Sequence, residues 1–343
     1  MNRRLLWDIA KLAIVVGVFA ALYKAGKIDI DTLRLATARP ALVLTAAFLV
    51  FTAIVFTVER WRRLLWAVDV HIGFGSAFTL TLIGMFFSHA LPGSVGGDIV
   101  KAYYLAKGQS QRAALVATVV FDRLLGLYTM ILMATLAGAV VWAYVWFSGY
   151  PPQWWSGGVQ ALIGFVFALF TAFTVGGALF MSDSMSRTRF MKKVMEMAPF
   201  REKTEKIYSA ARKFGDNPAV AFTALGISFF GQFFLYGAIW ILAMALELNE
   251  LTVPQFLFVI PVCILINAIP AAPGGLGVGE IGFGAVFALF GYGKGVELAV
   301  MYHAVSIAIS VALGGVIYLV YSSRGGGTVT LKRLEDERGE GPA

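Results

Sequence analysis

Leu91 to Asp98 reads LPGSVGGD and closes an apolar run, residues 77–91; Ala272 to Glu280 reads APGGLGVGE and closes another. Proline removes a backbone donor and glycine admits positive φ. Pro92, Gly93, Gly96 and Gly97 in the first stretch, and Pro273, Gly274, Gly275 and Gly277 in the second, therefore suit a tight non-helical turn. As α-helices, residues 78–91 would rise only ~21 Å and residues 254–269 only ~24 Å, against a hydrocarbon core of about 30 Å. Each is expected to be one arm of a helical hairpin that dips into a membrane and returns. Exposed backbone at that depth is tolerated only where it is buried in protein or lines a wet cavity.

The rest of the chain supplies the membrane setting. Of 343 residues, 59% are hydrophobic and 14% charged, and the mean hydropathy is +0.76, far from the balance of a soluble domain. Six segments are long enough to span, at 9–23, 41–58, 113–147, 159–181, 219–246 and 298–321. The first follows basic residues as a signal peptide would, but Asp8 and Lys11 interrupt it and Ala20-Ala21-Leu22-Tyr23 is a poor cleavage site, so it is read as a retained helix. The single cysteine, Cys263, excludes a disulfide within the chain and a Cys-rich metal site. The fold expected is all-α and polytopic, with about six full spans and two re-entrant hairpins.

The net charge of +8 is informative through its placement. Arg3 and Arg4 place the N-terminus in the cytoplasm, as do Arg60, Arg62 and Arg63 the end of the second span. The loop 182–218 carries nine Lys and Arg residues, among them Arg187, Lys192, Lys193 and Lys203, and is expected to be cytoplasmic, as is the tail 324–343. The uncharged loop 148–158, with Tyr150, Trp154 and Trp155, reads as an external aromatic belt, although the basic turn 24–39, also expected outside, departs from the rule. With this topology the hairpin region 77–108 opens to the cytoplasm and the region 254–291 to the outside. The chain is then a single membrane domain, residues 1–323, whose halves, about 41–147 and 219–321, form an inverted repeat. Aligning the glycine turns sets Asp98 beside Glu280 and, after similar spacing, Arg123 beside His303. Inverted repeats with broken helices build transporter sites near the bilayer midplane.

The residues that carry chemistry cluster around these turns. Asp122 and Arg123 lie about ten residues into the third span, where ionisable groups are costly and mark functional sites. A locking ion pair is the structural alternative. Arg123 suits a phosphate because its planar fork binds in a bidentate way. Lys101, at i,i+3 from Asp98, either neutralises that acid or assists a phosphate. His303, and His89 before the first turn, serve as structural hydrogen-bonding groups or as weaker, pH-dependent ligands. Asn267 either caps the second hairpin or binds a ligand. Glu59-Arg60-Trp61-Arg62-Arg63 reads as a positive-inside anchor with an interfacial tryptophan. The three histidines lack metal-ligand spacing and the glycine turns lack the Lys-Ser/Thr of a nucleotide loop, so no metal or cofactor is expected, and no nucleic-acid partner.

RWRRLLW (Arg60–Trp66), LPGSVGGDIVKAYYL (Leu91–Leu105), VVFDRLLGL (Val119–Leu127) and NAIPAAPGGLGVGE (Asn267–Glu280) together resemble the lysylphosphatidylglycerol synthase transmembrane family, also called flippase-like integral membrane proteins. The resemblance covers nearly the whole chain. It implies a domain of the cytoplasmic membrane that translocates lipids or lipid-linked molecules, alone or fused to an aminoacyl-transferase domain. Histidine stands at 89 where the family commonly has asparagine, and at 303 where it commonly has arginine. With no transferase fusion, a transporter of an anionic or lipid-linked substrate is expected rather than a synthase. A second expectation is a non-catalytic partner that holds a lipid-modifying enzyme or glycosyltransferase through the loop 182–218. A transferase using Asp98 or Glu280 as base finds no donor-binding motif.

Overall fold

The computed structural model describes residue 34 and residues 38–90, 96–107, 112–181, 218–248, 251–269 and 277–323, and every regular element among them is helical. The expected first span 9–23, the loop 182–217, the tail 324–343 and both turn tips, with Pro92, Gly93, Pro273, Gly274 and Gly275, lie outside the described residues.

Helix α1 (Pro40–Trp66) starts on a proline at its first turn, where the missing donor costs nothing. It is followed by α2 (Phe74–Ala90), α3 (Gly96–Ala106), α4 (Arg112–Ser148) and α5 (Gly157–Met181). After the loop come α6 (Pro218–Ala245), α7 (Val253–Asn267), α8 (Val278–Leu289) and α9 (Gly295–Ile309). The helix continues from α9 through a π-helical segment, Ser310–Gly315, into α10 (Val316–Ser323). Five helical stretches are long and apolar enough to cross a membrane: Pro40–Trp66, Arg112–Ser148, Gly157–Leu179, Ala219–Ala245 and Gly295–Val320. They coincide with five of the six expected spans. The short helices also fall where expected: α2 has 17 residues and α7 has 15, and each is followed by a still shorter partner, α3 with 11 and α8 with 12.

The core is a sandwich of α1 on α6, flanked by these short pairs. Arg39, at the start of α1, donates to the Met244 carbonyl (3.1 Å) and pairs with Glu247 beyond the end of α6. At the other end Arg60 reaches Ser228, so the two helices run antiparallel. Phe56 stacks between them on Phe230 and Phe234.

Small residues set the close approaches that bilayer helices need in place of a hydrophobic drive. A Cβ on Gly97 would run into the Gly84 carbonyl and the Ser88 hydroxyl, so α3 lies backbone-to-backbone on α2. Gly314, inside the π segment, also lies too close to the Leu82 carbonyl of α2 to admit a Cβ. Helix α7 begins on Pro254, with buried Gln255 accepting from the Thr252 amide (2.9 Å), the Thr252 hydroxyl (2.7 Å) and the Tyr292 hydroxyl (3.0 Å). Pro261 inside α7 forfeits one backbone bond.

Candidate functional site

Two clusters of buried polar groups lie at the short-helix pairs. In the first, Arg60 Nε donates to Asp122 Oδ1 at 2.7 Å, and Lys101 Nζ lies 3.7 Å from Asp122 Oδ2. Arg60 is 8%, Lys101 5% and Asp122 6% exposed, so the three charges are held out of solvent and stand only because they satisfy one another. Trp61 offers its ring face to the Lys101 ammonium, 3.6 Å from the centroid, and Arg60 Nη1 also donates to Ser228 Oγ at 3.2 Å. Gly126 makes room for this: a Cβ there would sit 3.2 Å from Arg60 Nη1.

Beside the triad, Arg123 Nη1 donates to Asp98 Oδ2 at 2.7 Å. Unlike the triad, this pair is open, with side chains 32% and 28% exposed. It is flanked by exposed apolar residues, Ile99 and Tyr103 of α3 and Val120 and Leu124 of α4. Asp122 and Arg123, adjacent in sequence, therefore engage different partners. Counting both parts, three cations face two carboxylates, a formal excess of one positive charge.

The second cluster is smaller and closed. His303 Nδ1 lies 3.1 Å from Glu280 Oε1, and His303 Nε2 lies 3.0 Å from Asn267 Oδ1. Each ring nitrogen thus faces one polar partner, with the donor in each contact following from the tautomer, and Glu280 and His303 are only 5% and 3% exposed. Gly277, at φ +88°, turns the chain into α8 and donates its amide to the Glu280 carboxylate, so one acid both caps the helix and holds the histidine. Gly279 leaves space for the ring, since a Cβ there would meet Asn267 Oδ1 and His303 Cε1. His89, bonded through Nδ1 to the Met85 carbonyl (3.0 Å), lies within electrostatic reach of His303, which brings the end of α2 toward this cluster.

The structure thus brings together Asp98 with Arg123, Lys101 with Asp122, and Glu280 with His303 and Asn267. Gly96 and Gly97 open α3 as buried residues. Sequence reasoning missed Arg60, taken for an anchor. It lies on the α1 stripe that buries Ala53, Trp61 and Leu64, whereas Arg62 and Arg63 turn outward to Glu59. That periodicity was the available signal.

The sequence matches the family described as the lysylphosphatidylglycerol synthase TM region over residues 9–314. The chain belongs to this family. The match is to the membrane region, so what the chain shares with the synthases is their membrane part and not a soluble catalytic domain, and that association supports a general lipid-handling role. A UPF0104 membrane protein of Pyrococcus horikoshii is 22% identical over 303 residues, covering 81% of this chain and 86% of that one. No solved structure matches.

Proposed function

We propose that this protein moves a lipid headgroup across the bilayer along a polar path between two inverted halves, while the acyl chains stay in the membrane. The observation that carries this reading is the repeated pairing: the acid ending each glycine turn meets a base 25 residues on in one half and 23 in the other, Asp98 with Arg123 and Glu280 with His303.

The packing supports the inverted repeat. Helix α2 packs on α3 as α7 packs on α8, and α3 on α4 as α8 on α9. Helix α1 meets α4 as α6 meets α9, and α4 meets α6 as α9 meets α1. The contact of α4 with α7 is mirrored by that of α2 with the π segment and α10, while α5 stands outside the correspondence. The opening helices of the halves, α1 and α6, run antiparallel, as opposite orientation requires.

In this reading the short pairs are re-entrant. The open Asp98–Arg123 pair receives the headgroup, whose phosphate displaces Asp98 from the Arg123 fork while the tails lie over Ile99, Tyr103, Val120 and Leu124. The excess positive charge favours an anion, and the buried Arg60–Asp122–Lys101 triad fixes the geometry behind it.

Labelled anionic, cationic and lipid-linked substrates in vesicles containing the purified protein test this. Translocation of at least one by the wild-type chain, lost in an inserted Arg123→Ala variant, is expected; transport at the wild-type rate in that variant refutes the phosphate role. For the topology, with Cys263 replaced, single cysteines at positions 110 and 184 should be labelled only from the cytoplasm, and those at 148 and 249 only from outside. Outside labelling at 110 contradicts the inverted arrangement.

A further inference from the structure

Between the two ionisable clusters lies a set of buried and half-buried polar side chains that the lipid reading does not use. Ser228, Gln232 and Tyr236 recur every four residues along α6, and Tyr302, Ser306 and Ser310 recur every four residues along the α9 helix. Residues at this spacing share one helix face. Helices α6 and α9 pack against each other, and Tyr236 and Tyr302 lie within electrostatic reach. One end of the α6 stripe is fastened to the first cluster, through Arg60 on Ser228. At the other end Tyr302 adjoins His303 of the second, their rings 5.4 Å apart. The stripe covers nine residues, eight rises or about 12 Å of helix.

Three members of the stripes are buried, each with a polar atom that lacks a hydrogen-bond partner among the described residues, while Tyr302 and Ser306 are half-buried. Gln232 is 8%, Tyr236 4% and Ser310 0% exposed. Gln232 Oε1, the Tyr236 hydroxyl and the Ser310 hydroxyl have no hydrogen-bond partner among the described residues, nor does Thr81 Oγ1 on α2, adjacent to the Leu82 carbonyl that Gly314 approaches. Burying a hydroxyl or amide without a partner costs several kcal/mol in an apolar medium, and buried polar atoms in folded proteins are partnered by protein or water. Four such atoms on helices that pack in succession, α6 on α9 and the π segment on α2, point to an occupant. Atoms this deeply buried have no room for a headgroup beside them, and single waters, each making two to four polar contacts, are the smallest partners that would satisfy them. The stripes carry no charge of their own, so an ion gains no counter-charge there, whereas hydroxyls and an amide both donate and accept.

We infer that the α6 and α9 stripes enclose a file of waters that carries protons between the Glu280–His303–Asn267 cluster and the Arg60–Asp122–Lys101 cluster. Each water takes one proton and passes on another, with no bond to carbon made or broken and no redox change. The terminal groups are Glu280 and His303, with His89 beside them, and Asp122, with Lys101, Arg60, Asp98 and Arg123 around it. Glu297, five residues before Tyr302 on α9, adds a carboxylate whose Oε2 is buried without a hydrogen-bond partner among the described residues. Such a path would couple the protein to a proton gradient, which goes beyond the transport reading and does not require that a lipid be the cargo.

Hydroxyl-radical footprinting of the full chain in vesicles tests the water file, because radicals formed from internal water modify neighbouring side chains sealed from bulk solvent. Tyr236, 4% exposed, should be modified about tenfold faster than the fully buried Phe258, Phe283 and Phe287; labelling no faster than those phenylalanines overturns the inference. Proton entry into the same vesicles, read with an internal pH dye under a clamped membrane potential, should exceed that of protein-free vesicles. It should fall about tenfold in Gln232→Leu and in Tyr236→Phe, the second of which changes no ring packing. Absence of proton entry above protein-free vesicles, or entry unchanged in correctly folded variants, overturns it. Proton entry without translocation of any lipid would count against the transport reading and leave this inference standing. Lipid translocation without proton entry would do the reverse.

Discussion

The first cluster and the second use the same plan with opposite exposure. At Asp98 and Arg123 the acid and base are about a third exposed and lie among lipid-facing side chains. At Glu280 and His303 they are sealed, and Asn267 and the Gly277 amide take up the remaining bonding positions. The open pair has a buried triad of further charges behind it; among the described residues the closed pair is joined by the Asn267 amide, with His89 within electrostatic reach. One motif, placed twice, therefore yields an accessible, cation-rich site and an inaccessible one. In an alternating transporter the two would exchange these states.

Breaking the buried triad should have the largest effect. Asp122→Ala strands two buried cations and should cost about 3–5 kcal/mol, seen as a lowered unfolding midpoint in detergent. Replacing the whole triad, Arg60 and Lys101 by Met and Asp122 by Leu, should recover much of that loss, and failure to recover it would mean that the charges do more than balance one another. Next comes the contrast between the two pairs. Glu280→Gln, in the closed cluster, should cost about 1–3 kcal/mol because His303 and the Gly277 amide lose a charged partner. Asp98→Asn, in the open one, should cost no more than about 1 kcal/mol while lowering translocation. Equal stability losses would erase the distinction. Of similar size to the Glu280 effect is Gly97→Ala, which forces α3 off α2 and should cost about 1–3 kcal/mol, whereas Gly75→Ala, with open space around it, should be silent by the same measurement. Glu59→Gln, which weakens a half-buried local pairing with Arg62 and Arg63 within one helical turn, should change stability by no more than about 1 kcal/mol.

Most of the helical layout was legible in the sequence because hydropathy and the length needed to span a membrane are local properties. The short helix expected at 254–269 occurs as Val253–Asn267, ended by the approach to the proline-rich turn. The pairing of Glu280 with His303 could be anticipated from the repeat, which carried the spacing of Asp98 and Arg123 into the second half. The identity of the triad could not be read so directly. Arg60 sits in a run of basic residues that composition explains as an anchor, and only the helical phase separates it from Arg62 and Arg63. Likewise the Ser228–Gln232–Tyr236 stripe lies within the apolar segment 219–246, whose mean hydropathy hides a polar face. Asn267 was suspected for its polarity at membrane depth, but its partner, His303, lies 36 residues away and only tertiary packing brings it there.

The measurement that tests the account most directly is translocation of labelled lipid headgroups in vesicles by wild-type protein, Arg123→Ala and His303→Ala side by side, each checked for insertion. If the two halves form one path, both variants lose translocation although only one of the altered sites is open in the structure. Wild-type translocation in His303→Ala, with loss confined to Arg123→Ala, would contradict a path built from both.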